Sequence, residues 1–247
     1  MQELFRPPNL IEVELKRASE QAEDPFISEK AWWHKYESGS QLISGQAYRI
    51  LKRVMDLFIT LLILPVFLLI FIALAIAIKL DTPGSIIFRQ LRTGKDGRRF
   101  HMYKFRTMVA NAEEQKKDLA DLNDLGELDG PLKLGLNDPR ITRVGRFLRK
   151  TSLDELPQMF NIIKGDMSWV GPRPTSWGLT SYELWHTERL DTLPGITGLW
   201  QLCGRGDTEF EHWVRWDIAY VRRQSLAFDL EILLRTFLHV VKQRGAH

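Results

Sequence analysis

The sequence predicts a mostly helical α+β chain built on one membrane-seeking helix, and three observations predict it. Residues 57–78 form a run of 22 without a single charge. Two β-like runs flank Lys95-Asp96-Gly97, a strong hairpin signal. Apolar residues then recur at helical spacing over 140–150 and again over about 208–242.

Residues 1–48 read as a polar tail with a weak helical stretch over 11–21 and two aromatics, Trp32 and Trp33, of the kind that rest on lipid headgroups. This tail holds eight acids and five bases, a net of −3, which leaves +6 on residues 49–247 of a chain whose total is +3. A basic body beside an apolar segment suits an anionic membrane surface or phosphorylated substrates. Nucleic acid is the poorer explanation, because no binding module is recognisable.

As a straight helix the uncharged run reaches roughly 33 Å, against about 30 Å of hydrocarbon. Pro65 sits well inside it and predicts a kink or break, since it removes the bond to the Leu61 carbonyl; Thr60 offers a nearby hydroxyl. Arg49, Lys52 and Arg53 precede the run, and Lys79, Arg89, Arg92, Lys95, Arg98 and Arg99 follow it. The positive-inside rule therefore asks for both ends on the cytoplasmic side, which a helix broken at Pro65 satisfies. Kinked spanning helices are common too, and on these grounds alone the two readings stand near parity. Lys52 and Arg53 lie one turn before Asp56, at the spacing of helical ion pairs.

After the turn at Asp81-Thr82-Pro83-Gly84, the hairpin strands fall over 85–91 and 99–108. Strand alternation puts Lys104 and Arg106 on one face and Tyr103 and Phe105 on the other. Residues 109–125 read as a polar helix and 126–137 as a loop. Ile141, Val144, Phe147 and Leu148 give an amphipathic helix over 140–150 whose other face is arginine, a pattern suited to lying on a membrane. Ser152-Leu153-Asp154-Glu155 has the spacing of a capping box, and Pro157 fits a first turn if Asp154 is the N-cap. Gly, Pro and Asp make 165–198 loop-rich. One or two helices close the chain, with Trp213, Trp216, Tyr220, Phe228, Leu230, Leu233, Phe237 and Val240 as their apolar positions.

Asp154 and Glu155 follow Arg140, Arg143, Arg146, Arg149 and Lys150, a density of acids and bases that suits phosphate and metal chemistry as well as a helix start. Competing motifs are missing. The sequence has no phosphate-binding P-loop, no G-x-G-x-x-G and no G-x-S-x-G. Its six histidines are scattered and its one cysteine, Cys203, excludes an internal disulfide framework. What remains is chemistry centred on carboxylates.

Several runs carry a family resemblance: Lys52-Arg53-Val54-Met55-Asp56, Phe88-Arg89-Gln90, Tyr103-Lys104-Phe105-Arg106-Thr107-Met108, Asp138-Pro139-Arg140, Ser152-Leu153-Asp154-Glu155-Leu156-Pro157-Gln158, Val170-Gly171-Pro172-Arg173-Pro174, and the stretch 194–205. Over residues 49–247 the chain resembles the bacterial monotopic phosphoglycosyl transferases, the bacterial sugar transferase family. The resemblance implies a monotopic membrane protein with a Pro-broken re-entrant helix (49–80), a β-hairpin and membrane-surface amphipathic helices. A catalytic domain (81–247) would then face the cytoplasm at the bacterial inner membrane, preceded by the polar tail 1–48.

The implied activity moves a sugar-1-phosphate from a UDP-sugar to polyprenyl (undecaprenyl) phosphate, the first membrane step of exopolysaccharide or glycan assembly. By the same resemblance Asp154 is the nucleophile that forms a covalent phosphosugar, Glu155 holds Mg²⁺, and Lys104, Arg106, Arg149, Gln158, Arg173 and Arg205 meet the substrates. Partners implied are the UDP-sugar, the lipid phosphate and membrane lipids, with no nucleic acid; a homodimer is left open. The alternative is a non-catalytic membrane scaffold of a polysaccharide assembly complex. The chain departs from the family in three places: Leu64 stands where serine is usual before the proline, the basic segment around Lys133 is thin, and Cys203 replaces a usual serine. It lacks the multi-span region of larger members and so resembles the short form.

Overall fold

The uncharged run lies inside one helix, α1 (Gly45–Asp81), in a computed structural model that describes residues 32–36, 45–112, 114–116, 138–203 and 210–241. Two units are distinct, 1–42 and 43–247. In the first, Trp32–Lys35 makes a short 3₁₀ turn with the two indoles edge to face at 6.0 Å. Residues 1–31 and 37–44 of the tail, the loop expected over 126–137 and Arg205 fall outside the described residues, while 45–48 belong to α1.

Within the second unit α1 continues through Pro65, so the break in helical pairing expected there is not formed. One proline removes one hydrogen bond, and the turns on both sides are held by the body. Thr60 does not serve the Leu61 carbonyl either: its hydroxyl donates to the Asp56 carbonyl (2.7 Å) and accepts from the Trp169 indole N–H (3.0 Å). Tyr48, Lys52, Asp56, Thr60, Phe67 and Ile78 form one buried stripe at helical spacing. The other faces are bare hydrocarbon, with Leu62 and Leu69 71% and 73% exposed. Among the described residues α1 is the helix long and apolar enough to cross a membrane.

The ion pairs expected within the first turns of α1 give way to longer-range partners. Lys52 meets Asp229 at 2.7 Å, and Arg53 donates to the Ile162 and Ile163 carbonyls. Asp56 accepts from the Ser168 hydroxyl (3.0 Å) and the Trp169 backbone N–H (3.2 Å). Lys52 and Asp56 lie in the buried stripe, where polar groups require a partner from the body, and Arg53 stands half-buried at its edge.

The expected hairpin forms with shifted bounds, β1 (Ile87–Thr93) in place of 85–91 lying antiparallel to β2 (Arg99–Phe105) in place of 99–108, with Ile87 opposite Phe105. Its turn places Asp96 and Gly97 in the left-handed region (φ 53° and 72°). The helix expected over 109–125 is not seen in the part described, which is a turn followed by a 3₁₀ turn at Glu114–Lys116.

The amphipathic helix appears as α2 (Arg143–Thr151), capped by the Thr142 hydroxyl, which accepts from the Gly145 N–H at 2.9 Å. Its Leu148 joins Ile78 and Phe105 in one core cluster, while Arg143, Arg146, Phe147 and Lys150 face outward. The loop-rich stretch holds α3 (Gln158–Lys164) just before it and a short parallel pair inside it, β3 (Ser168–Val170) beside β4 (Gly195–Thr197). Three-residue strands offer no alternation to read, and their Gly and Pro neighbours resemble loop. A short helix α4 (Leu199–Cys203) precedes the closing pair, α5 (Phe210–Arg223) and α6 (Leu226–Val241). Tyr220, Phe228 and Ile232 are core, whereas Leu230 and Phe237, also read as apolar positions, are exposed.

Candidate active site

Asp154 and Glu155 stand on a 3₁₀ turn, Leu153–Glu155, between α2 and α3. The capping box read from this stretch is not formed. Ser152 adopts a left-handed conformation (φ 57°) that closes α2 by donating its N–H to the Arg149 and Leu148 carbonyls, and its side chain caps nothing. α3 opens at Gln158, after Pro157, so Asp154 is not its N-cap. The physical reason is that the Glu155 carboxylate is engaged elsewhere and cannot reach back to Ser152.

Glu155 is gripped by two cations from two elements. Lys104, on β2, donates to Oε1 at 3.0 Å. Arg173, in the loop after β3, donates to the same Oε1 through Nη2 and to Oε2 through Nη1 at 3.4 Å. Those two charges outweigh burial and hold the Glu155 carboxyl well below the usual carboxylate range. Asp154 has the opposite fate. Burial pushes its carboxyl up, Glu155 adds to the rise, and Lys104, Arg149 and Arg173 act against it by charge alone, with no hydrogen bond. One acid is locked and the other is close to cations but unattached.

Arg149 comes from the last turn of α2, and its Nε donates to the Thr107 hydroxyl at 3.0 Å. Gly145 makes this approach possible, because a Cβ there would lie 2.1 Å from the Thr107 carbonyl oxygen. Behind Thr107, Arg140 forms a fork to Asp138 (2.7 and 3.0 Å) and reaches the Ala112 carbonyl. Asp138 is thereby held below its ordinary range, Arg140 being the main cause. This Asp-Pro-Arg run is a self-neutralised brace.

Of the residues expected to meet substrate, the fold brings Lys104, Arg149, Asp154, Glu155 and Arg173 together. Arg106 is not among them: its guanidinium donates to the Thr82 and Pro83 carbonyls and ties the hairpin to the end of α1. β2 ends at Phe105, so the alternation that paired Arg106 with Lys104 stops one residue short. Gln158 is buried at the start of α3, its amide nitrogen without an acceptor among the described residues, and it does not contact the acids. Sequence reasoning missed Thr107 as the anchor of Arg149, and it passed over Arg92 as a mere flanking charge. Arg92, on β1, lies beside Arg173; burial, then the Arg173 charge, pull its guanidinium down to about 10.

Mg²⁺ takes oxygen ligands and accepts one or two carboxylates with substrate phosphates completing the shell. The donor set fits only that mode. No group of three His, Cys, Asp or Glu converges among the described residues. Glu155 Oε1 is shared by two cations and Oε2 accepts only the long 3.4 Å bond from Arg173, so Oε2 and the Asp154 carboxylate are the atoms that could hold a metal.

The family model described as bacterial sugar transferase matches residues 47–243. The galactosyl transferase CpsE of Streptococcus agalactiae is 46% identical over 167 residues, covering 66% of this chain and 36% of its own. The exopolysaccharide production protein ExoY of Rhizobium meliloti is 36% identical over 236 residues, 94% of this chain and 100% of its own. The UDP-glucose:undecaprenyl-phosphate glucose-1-phosphate transferase of Escherichia coli is 39% identical over 212 residues, 81% of this chain and 42% of its own. The chain spans less than half the length of the first curated relatives it matches, 36% to 44% of each.

Proposed function

Because the chain belongs to the bacterial sugar transferase family, we propose that it transfers a sugar-1-phosphate from a UDP-sugar to polyprenyl (undecaprenyl) phosphate. The products are polyprenyl-diphosphate-sugar and UMP. The observation that carries this reading is the unequal treatment of the two acids: Glu155 is pinned by Lys104 and Arg173, and Asp154 is left unbonded among cations.

In the first step an Asp154 carboxylate oxygen attacks the sugar-bearing phosphorus. A P–O bond forms, the bond to the nucleotide phosphate breaks, and UMP leaves with that electron pair. In the second step an oxygen of polyprenyl phosphate attacks the same phosphorus and Asp154 departs as carboxylate. A carboxylate is a competent nucleophile towards phosphorus when the charge of its target is neutralised. Lys104, Arg149 and Arg173 are positioned to do so, and the two arginines have forked donors matched to phosphate oxygens. Glu155 orients Lys104 and Arg173. Mg²⁺ held by Asp154 or Glu155 Oε2 would supply further neutralisation of the diphosphate.

The substrate lipid places the work at a membrane, for us the bacterial inner membrane with the body on its cytoplasmic face. The bare faces of α1 support burial in lipid, since water-exposed apolar surface of that extent is unusual. The body bonds α1 near both of its ends, at Lys52 and Asp81, and although helical pairing continues through Pro65, these contacts favour both ends lying on one side. Single cysteines placed in the tail and at Asp96, in a Cys203→Ser background, both resist labelling from outside intact cells if this holds. Labelling of the tail alone means a true span. A non-catalytic scaffold is disfavoured by the intact acid pair and its cations.

The activity is tested with purified protein, Mg²⁺, polyprenyl phosphate and a panel of UDP-sugars. UMP release with one of them is expected, together with a polyprenyl-diphosphate-sugar. No UMP from any member of the panel contradicts the reading. The relatives' names specify galactose in one case and glucose in another, so the panel also identifies the sugar.

A further inference from the structure

The arginines of this protein fall into two kinds. Arg53 and Arg106 each donate to two backbone carbonyls. Arg99 donates to Thr93 Oγ1 and to the carbonyls of Ser176 and Trp177, and Arg140 and Arg189 have buried aspartates. These are braces whose guanidinium ends are held by carbonyls, a hydroxyl or carboxylates, the Arg106 Nε alone among these five being buried without an acceptor among the described residues. Arg92 is different. Its bonded partner is the neutral Gln90 side chain, two residues away on the same strand, at 2.6 Å. Its Nε is buried with no acceptor, and the charge pressing on it most is the like charge of Arg173.

A partly buried guanidinium with an orphaned donor beside a second guanidinium is unfavourable unless an anion joins them. With Lys104, Arg149 and Arg173, and with Arg99 also acting on it, Arg92 belongs to a group of five cations around two carboxylates. That surplus of positive charge suits a diphosphate. Position decides which phosphate. Lys104, which bonds Glu155, stands opposite Phe88, four residues along β1 from Arg92, and the Thr93 N–H donates to the Thr175 carbonyl at 2.9 Å, which sets Arg92 beside the loop that carries Arg173. Arg92 is accordingly not among the charges that act most on Asp154 and is acted on by Arg173, Glu155, Arg99 and Tyr182. The Tyr182 ring lies 6.0 Å from Trp177 and 6.2 Å from Phe210, and such an aromatic surface suits a nucleobase.

We infer that Arg92 binds the nucleoside-side phosphate of the nucleoside-diphosphate-sugar, on the far side of Arg173 from Asp154. This rests on the transferase reading above. Arg92 thus grips the part of the donor that leaves as a nucleoside monophosphate, and Lys104, Arg149 and Arg173 grip the part that stays.

The test uses the full chain and its Arg92→Ala, Arg92→Gln and Arg92→Lys variants. KM and kcat for UMP release from the UDP-sugar are measured together with inhibition by UMP and the thermal unfolding midpoint. Loss of a charge-assisted fork predicts a rise in donor KM of about 10- to 100-fold for Arg92→Ala. The UMP inhibition constant rises in parallel, and kcat and the midpoint stay near wild type. Arg92→Lys recovers part of the affinity because it keeps charge without the fork. A wild type that releases no UMP sinks the transferase reading. An active wild type whose variants keep KM and UMP inhibition, or lose kcat and midpoint together at unchanged KM, overturns the role of Arg92. Should Arg92→Ala fail to fold, the comparison of Arg92→Gln with Arg92→Lys decides in the same way.

Discussion

Two charge clusters in this protein use the same residue types to opposite ends. Where α1 meets α5 and α6, Lys52 bonds Asp229 at 2.7 Å, and Tyr48 and Tyr220 donate to the same carboxylate at 2.9 and 2.6 Å. Lys52 bonds one acid, Asp229, whose acceptors are filled, with Asp56 a second acid nearby, and Lys52 and Asp229 are almost wholly out of water. Around Asp154 and Glu155 the cations outnumber the acids, one carboxylate is over-supplied and the other is unbonded. Acids that match or exceed their cation make a joint, and an excess of cations makes a site that a polyanion completes.

The sharpest way to break this comparison is to neutralise one acid in each cluster. Asp229→Asn strands Lys52 in the interior and is expected to cost about 3–5 kcal/mol of stability by chemical denaturation. Glu155→Gln, at a partly open site, is expected to cost about 1 kcal/mol or less while lowering UMP release. Equal losses of stability would mean that both clusters are joints. A smaller change, Gly145→Ala, forces α2 away from the Thr107 carbonyl and is expected to cost about 1–3 kcal/mol; activity should fall further than stability predicts, because Arg149 loses its anchor. Arg173→Lys keeps the charge and loses the fork, so kcat/KM is expected to drop about 10- to 100-fold with an unchanged unfolding midpoint.

The smallest expected effect is on pH. Burial raises the Asp154 carboxyl above its ordinary value of 3.8, and only the ionised form attacks phosphorus. Adduct formation should therefore fall away as pH drops through that raised value. Lys104 is the largest influence in the lowering direction, so Lys104→Met moves the limb to higher pH. Glu155 gives the contrasting stability signature. Its folded-state value lies below its ordinary 4.5, so the stability it contributes is present above about that pH and is lost as pH falls towards the folded value. A limb that moves down in Lys104→Met would contradict the electrostatic account.

Sequence reading recovered the parts of the fold that rest on local chemistry: the uncharged helix, the hairpin with its Asp96-Gly97 turn, and the amphipathic α2. It failed where tertiary partners outcompeted local ones. The Ser152–Glu155 capping box was lost because Lys104 and Arg173 take the Glu155 carboxylate. The pairing of Lys52 with Asp56 was lost to Asp229, 177 residues away. The acid pair and its flanking cations were visible through the family resemblance, but their division into a gripped Glu155 and an unbonded Asp154 needed coordinates. Arg106 stands apart from the acids because its strand ends at Phe105 rather than Met108 and its guanidinium turns to the Thr82 and Pro83 carbonyls. Arg92 was invisible because what marks it is an acceptor it lacks.

The account turns on Asp154 being the unbonded nucleophile. Intact-protein mass measurement after incubation with Mg²⁺ and a UDP-sugar, without lipid phosphate, tests this most directly. The expected result is a mass increase of one sugar-phosphate mapping to Asp154, matched by UMP release and absent in Asp154→Asn. An adduct that persists in Asp154→Asn, or one that maps to Glu155, would contradict it.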